Sequence, residues 1–218
     1  MSLLNFQVIP IKESQDPLVD LSDYDFVLDP MYFKQGLSDD SKMFLRKSIV
    51  DKLLKIQKRL EDYRFKIWDA YRSRKVQNAI YEKFWNELKE KNPIWDEEKL
   101  RSEVGIFVTD AKDKNRIPPH ATGGSVDLTL VDKDGKELEM GTAFDYFGPE
   151  ASSFYFEKND NNVEARKNQK ILRDAMSAED FSVDKDEWWH FDFGNQKWAL
   201  ELNRSEAIFG EAEEPILN

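Results

Sequence analysis

No cysteine occurs anywhere in the 218 residues, so whatever this chain folds into is held together without covalent cross-links. Disulfide scaffolds, thiol nucleophiles and cysteine-ligated zinc or iron–sulfur sites are excluded. Hydrophobic residues make up 40% of the sequence, which suffices for one sizeable core, and the length is that of a single domain. Against 32 Lys and Arg stand 43 Asp and Glu, a net charge of −11. With no long basic block, such a surface repels a phosphate backbone, and nucleic acid is not expected as a partner. No stretch approaches the roughly 18 apolar residues of a membrane span. The opening MSLLNFQVIPIKESQD lacks the basic-then-apolar pattern of an export signal. The cytoplasm is therefore the expected compartment, or the periplasm if a leader has been removed.

Residues 1–40 read as an irregular, turn-rich segment with short apolar pieces such as Phe6–Ile9 and Phe26–Leu28. From Ser41, the apolar positions Phe44, Leu45, Ile49, Leu53, Ile56 and Leu60 recur at helical spacing and predict an amphipathic helix to about Tyr63. Phe65-Lys66-Ile67-Trp68 alternates as a short strand. A second helix is expected over Ser73–Lys91 and ends at Asn92-Pro93, with a shorter one over Glu97–Val104. Ser125–Val131 alternates as a strand, and Asp132-Lys133-Asp134-Gly135 reads as a hairpin turn with Lys136–Met140 returning. A calcium loop is the lesser reading of that turn, because the later ligands and the closing Glu are missing. A third helix is expected at Val163–Met176 and an aromatic strand at Glu187–Phe193, with an acidic surface tail over 205–218. Helices and strands do not alternate regularly, which points to an α+β domain rather than a doubly wound parallel sheet.

Only two histidines exist, His120 and His190, so any imidazole chemistry passes through them. His120 sits on a loop whose Gly123 and Gly124 let the backbone turn back toward Asp127, seven positions on. Taken alone, the pair reads first as an exposed loop histidine and a turn aspartate. On its own, Glu187-Trp188-Trp189-His190 reads first as an aromatic core strand with a satisfied histidine. In an ideal strand Glu187 and His190 would face opposite sides, so a shared site demands a bulge or turn near Trp188. Together, His120, Asp127 and His190 make the three-ligand count of a catalytic zinc site, with a carboxylate beside the last. Ligand type alone would also admit other divalent metals.

His120-Ala-Thr-Gly-Gly-Ser-Val-Asp127, Glu187-Trp-Trp-His190 and the upstream Asp69-Ala-Tyr-Arg72 resemble, in this order, the motifs of the vancomycin-resistance type of D-alanyl-D-alanine dipeptidase. That group lies within the zinc D,D-peptidase family, which also contains D,D-carboxypeptidases. The similarity spans roughly residues 20–200, and the motifs are specific only jointly. The Trp188-Trp189 doublet and Met140–Asp145 point to the dipeptidase branch. The resemblance implies one α+β domain with a central antiparallel sheet flanked by helices, a hedgehog-like fold holding one zinc ion per chain. His120, Asp127 and His190 would ligate the zinc. Glu187 would be the general acid/base, Arg72 would stabilise the oxyanion, and Asp145 would hold the free ammonium of the substrate. The implied reaction is hydrolysis of D-alanyl-D-alanine to two D-alanines by a zinc-bound water, in peptidoglycan metabolism or vancomycin resistance.

D,D-carboxypeptidase or other wall-peptide hydrolysis on the same site is the alternative activity. A non-catalytic zinc module is disfavoured by the retention of Glu187 and Arg72, which a structural zinc does not need. Two departures stand out. Ser73 replaces the proline that commonly follows the Tyr-Arg pair, which alters the helix start. Pro118 and Pro119 replace serines that often precede the first ligand. Proline has no donor for a substrate carboxylate, so strict preference for D-Ala-D-Ala is weakened. Asp69 either orients Arg72 or caps the following helix.

Overall fold

Alternation along the central strand decides the architecture. The computed structural model describes residues 8–215, and the apolar piece at Phe6-Gln7 and the end of the acidic tail lie outside them. Three short elements open the chain: β1 (Leu18–Asp20), β2 (Val27–Leu28) and α1 (Met31–Lys34). Then follow β3 (Phe44–Arg46), α2 (Lys47–Arg59), β4 (Arg64–Asp69), α3 (Arg74–Lys91), α4 (Glu97–Phe107) and β5 (Ser125–Val131). The chain continues through α5 (Tyr155–Lys158), α6 (Val163–Ser177), β6 (Ser182–Val183), β7 (His190–Asp192) and α7 (Gln196–Glu201). Five strands form one sheet in the order β2-β4-β5-β7-β6, and β1 and β3 form a separate antiparallel pair. The large sheet is antiparallel except at its β2–β4 edge.

One face of this sheet is apolar rung by rung. Phe65 lies opposite Leu130, Ile67 opposite Leu128 and Val126 opposite Phe191. That face joins Ile49, Leu53 and Ile56 of α2 and Leu172 and Met176 of α6 in the main core. Burying each such side chain contributes about 1.5–3 kcal/mol. The alternate positions are polar yet, apart from half-buried Lys66, also buried: Ser125 pairs with Asp192, Asp127 with His190, and Thr129 with Lys66. The α+β architecture with a helix-flanked, mainly antiparallel sheet is thus the one the sequence implies. Among the described residues no helix is long and apolar enough to cross a membrane.

Three expectations need correction. The helix begun at Ser41 starts only at Lys47, because Phe44–Arg46 pairs with Asp20–Leu18 as a strand. Phe44 and Leu45 fit both periodicities, and the pairing with β1 decides between them. The return of the hairpin is a single bridge, Val131 to Glu137, rather than a strand. Its turn does form: Asp132 Oδ1 accepts from Asp134 N at 3.0 Å and Lys136 N at 2.9 Å, with Gly135 at φ +80°.

The C-terminal segment is not all surface tail. Ala207 and Phe209 are fully buried, and Ala207 bridges Ile11, because Ala207-Ile208-Phe209 is an apolar island within acidic flanks. Phe209→Ala is expected to lower unfolding stability by about 3–5 kcal/mol, read from denaturant midpoints at constant slope. A surface tail would show almost no change.

Candidate metal centre

The polar rung of the sheet is also where the candidate residues meet. Asp127 lies opposite His190 on β7 and opposite Asp69 on β4. Asp69 reaches that level through a bulge: between Ile67 and Asp69 the β4 chain advances two residues while β5 advances one. Trp68 is the extra residue, and without the bulge it would stand opposite Asp127. His120 comes from a 3-10 turn over Pro119–Thr122, which ends at Gly123 in the left-handed region (φ +67°). The turn is fixed by Thr122 Oγ1 donating to the Pro119 carbonyl at 2.6 Å and by Arg46 Nε donating to the Thr122 carbonyl at 2.8 Å. The C-terminal segment also reaches it, through Ala212 N donating to the Ala121 carbonyl at 2.9 Å.

The turn that a shared site demands near Trp188 is present. His190 N donates to the Glu187 carbonyl at 3.2 Å, and β7 starts at His190 instead of Glu187. This turn carries Glu187 to the cavity that His190 also lines. Trp188 and Trp189 are buried on the apolar side, with Trp188 Nε1 donating to Thr142 Oγ1 at 2.8 Å.

His120, Asp127 and His190 are 4%, 3% and 4% exposed and present one donor atom each within 4.8 Å of one another. Nε2 of His120 lies 3.2 Å from Nδ1 of His190 and 3.4 Å from Asp127 Oδ2. Nδ1 of His190 lies 2.9 Å from Asp127 Oδ1. Two ligands about 2.0–2.1 Å from one tetrahedral zinc stand about 3.3–3.4 Å apart, so the spacing suits such an ion. The outer nitrogens reinforce the fit. His120 Nδ1 lies 2.7 Å from the Ala70 carbonyl, which can only accept, so the Nε2 lone pair points inward. Such inward lone pairs are favourable only with a proton or cation between them. Burial opposes the charge of Asp127, yet the two imidazoles overcome it and hold its carboxyl well below the ordinary range.

Arg72 is buried beside this triangle. Its Nε and Nη2 donate to Asp69 Oδ2 at 2.9 and 2.7 Å, and its Nη1 donates to Gln77 Oε1 at 2.9 Å. Nη2 stands 3.7 Å from Asp127 Oδ2. Asp69 therefore orients Arg72, while the helix cap is Ser73, whose hydroxyl accepts from Val76 N. Glu187 is half-buried; burial, and then the neighbouring Asp184 carboxylate, push its pKa up to about 8. Asp145 is held in the left-handed region (φ +58°), which Asp tolerates. Burial, and then the Asp127 charge, push its carboxyl up to about 7.

Arg72, His120, Asp127, Asp145, Glu187 and His190 all line one cavity. Sequence reasoning missed Tyr32, whose hydroxyl donates to Asp145 Oδ1 at 3.2 Å and accepts from Arg72 Nη2 at 3.4 Å. Its ring also lies 4.7 Å from the Arg72 guanidinium. Nothing local in the sequence signals a partner 113 residues from Asp145. Asp192 was missed as well, although its place two residues after His190 puts it on the same strand face.

Two imidazoles and a carboxylate on a buried rung, with a proton-transfer carboxylate and an arginine on the same cavity wall, are the equipment of a metallohydrolase. The chain belongs to the D-ala-D-ala dipeptidase family, Peptidase M15, whose model matches residues 25–208; it is a metallopeptidase hydrolase. A D-alanyl-D-alanine dipeptidase of Synechocystis sp. is 23% identical over 223 residues, covering 91% of this chain and 90% of the relative. A D-alanyl-D-alanine dipeptidase of Escherichia coli K12 is 32% identical over 73 residues, 34% and 36% of the two chains. Among solved structures, VanYB in complex with D-Alanine-D-Alanine matches with a TM-score of 0.49 at 13% identity, covering 89% of this chain and 90% of that one.

Titration of metal-free protein with zinc is expected to raise the melting temperature. A ligand present at a hundredfold its Kd adds about 2.7 kcal/mol. His120→Ala and Asp127→Ala should each abolish the shift, as read by calorimetry at fixed protein concentration.

Proposed function

We propose that this protein is a zinc-dependent D-alanyl-D-alanine dipeptidase, with His120, Asp127 and His190 holding the metal. The observation that carries the dipeptide reading is Asp145, a carboxylate on the wall of the cavity that the metal ligands also line. A free dipeptide brings an ammonium group to such a site, and an N-acylated peptide does not.

Zinc at this triangle supplies Lewis-acid polarisation of the scissile carbonyl and lowers the pKa of water. Glu187 takes the proton from the attacking water and returns it to the departing amine of D-alanine. Its raised pKa suits it to do both near neutrality. Arg72, held by Asp69 and Gln77, donates to the oxygen that gains negative charge. Asp145, supported by Tyr32, pairs with the substrate ammonium and sets the distance from the amino end to the cleaved bond. Pro118 and Pro119 give the ligand turn a rigid start and contribute no donor, so the substrate carboxylate is read by other groups lining the cavity.

A second reading, D,D-carboxypeptidase or wall-peptide hydrolysis on the same residues, has one observation in its favour. A groove lined by Phe84, Lys83 and Glu87 shares Tyr32, Ile80, Asp145 and Phe147 with the metal-side cavity, which offers room for a longer substrate.

Zinc-loaded protein assayed against D-Ala-D-Ala, L-Ala-L-Ala and N-acetyl-D-Ala-D-Ala separates the readings. Cleavage of the first alone is expected, and preference for the acetylated peptide moves the activity to a carboxypeptidase. Glu187→Ala should reduce kcat by about 10²- to 10⁴-fold with zinc content unchanged; full activity in that variant ends the acid/base assignment.

The ammonium clamp has its own pH dependence. A carboxyl whose pKa is raised to about 7 is neutral below that pH. KM for the free dipeptide should therefore climb as pH falls through 7, and Asp145→Asn should raise it about tenfold or more and flatten the profile.

A further inference from the structure

His190 is gripped from behind by a carboxylate with no part in the chemistry described above. Asp192 leaves β7 on the same face as His190, and its Oδ2 lies 3.0 Å from His190 Nε2. Oδ1 of Asp192 accepts from Ser125 Oγ at 2.6 Å and from Asn195 Nδ2 at 2.7 Å. Asn195 also donates to Ser125 Oγ at 3.0 Å, while its own Oδ1 caps α7 by accepting from Trp198 N at 2.9 Å. Lys197, in the first turn of that helix, lies 3.7 Å from Asp192 Oδ2 and is ion-paired with Asp184. Asp192 is almost fully buried, at 1% exposed, and both of its oxygens are engaged.

The two imidazoles are therefore anchored differently. His120 leans on the neutral carbonyl of Ala70, with Asp69 Oδ2 3.2 Å from the same nitrogen. His190 leans directly on an anion. A carboxylate behind a ligating imidazole fixes its tautomer, stops rotation of the ring and makes the inward nitrogen more basic. Main-chain pairing of Asp192 with Ser125 and Ser182 does not depend on its side chain, so the strand ladder leaves the buried charge unexplained. An isolated buried carboxylate is costly, and here every supporting donor comes from a residue that does not line the metal triangle or from the helix that follows it.

We propose that Asp192, oriented by Ser125 and Asn195 and charge-balanced by Lys197, is the positioning residue that holds His190 with Nε2–H outward and Nδ1 aimed at the metal. The inference rests on the reading of His190 as a ligand and adds the element that sets its aim. Asparagine cannot replace this carboxylate. Asn has one acceptor oxygen, so its NH₂ must face either the Asn195 donor or His190 Nε2, and the latter choice favours the proton on Nδ1, where it blocks the metal.

The test compares the wild-type chain with Asp192→Asn and Ser125→Ala, using chelator competition for zinc affinity and imidazole NMR. Two histidines make the imidazole spectrum simple to assign. Asp192→Asn is expected to weaken zinc binding by about 10- to 100-fold and to remove the protected, downfield Nε2–H proton of His190, while the His120 Nδ1–H signal persists. Saturating zinc should restore a large part of its activity, which a merely structural lesion would not permit. Ser125→Ala, which leaves the His190–Asp192 bond in place, should weaken zinc binding by about threefold or more.

Affinity within twofold of wild type in Asp192→Asn, or an unchanged His190 proton, overturns the inference. If Asp192→Asn does not fold, unchanged zinc affinity in Ser125→Ala overturns it alone. A wild-type chain that binds no zinc brings down the ligand assignment and this inference together, whereas zinc binding that ignores both substitutions brings down only the inference.

Discussion

A single polar rung across three antiparallel strands carries the site. Asp69, Asp127 and His190 face one another on β4, β5 and β7, and the rungs on the opposite face are Phe, Ile, Val and Leu. Side chains alternate with a period of two, so the apolar rungs that build the core automatically aim Asp127 and His190 the other way. The one irregularity, Trp68, lets Asp69 join the row. Slipping β5 by one residue would turn Asp127 into the core and Val126 and Leu128 toward the cavity. Register and site are therefore one constraint: the hydrophobic energy that fixes the pairing also fixes the ligand geometry.

Charge balance around the rung follows from the same crowding. Asp69, Asp127, Asp184, Glu187 and Asp192 gather within a region whose nearby cations are Arg72 and Lys197. Asp127 and Asp192 remain ionised despite burial because they touch imidazole or ammonium, whereas Glu187 has no such contact and is driven upward. Two kinds of carboxylate arise side by side, fixed anions and one whose raised pKa suits it to proton exchange near neutrality. A divalent cation fits the surplus of negative charge as well as the donor set.

Much of this was legible in the sequence, and the misses have physical causes. Helix α3 was readable because its apolar stripe and the Asn92-Pro93 stop agree, while its cap is Ser73, read in the sequence as the first helical residue. The start of α2 was not, because Phe44 and Leu45 satisfy a helical stripe as well as a strand, and only pairing with β1, over twenty residues earlier, decides. The candidate ligands His120, Asp127 and His190 were readable as motifs, and the turn before His190 could be stated as a requirement. Tyr32 was out of reach, since its partners Arg72 and Asp145 come to it through tertiary packing alone. The acidity of residues 205–218 hid the apolar Ala207-Ile208-Phe209, which the core claims.

That buried C-terminal segment also reaches back to the candidate metal site. Ala212 N supports the turn bearing His120, and the Gly210 carbonyl receives Arg46 Nη2 at 3.4 Å, the same guanidinium that ties down Thr122. Residues 207–212 follow His120, Asp127 and His190 in the chain, so the buttress behind the His120 turn comes from sequence beyond all three. The candidate metal site thus leans on residues that lie beyond all of its own members in sequence, and a chain cut short before residue 207 lacks that support for the His120 turn.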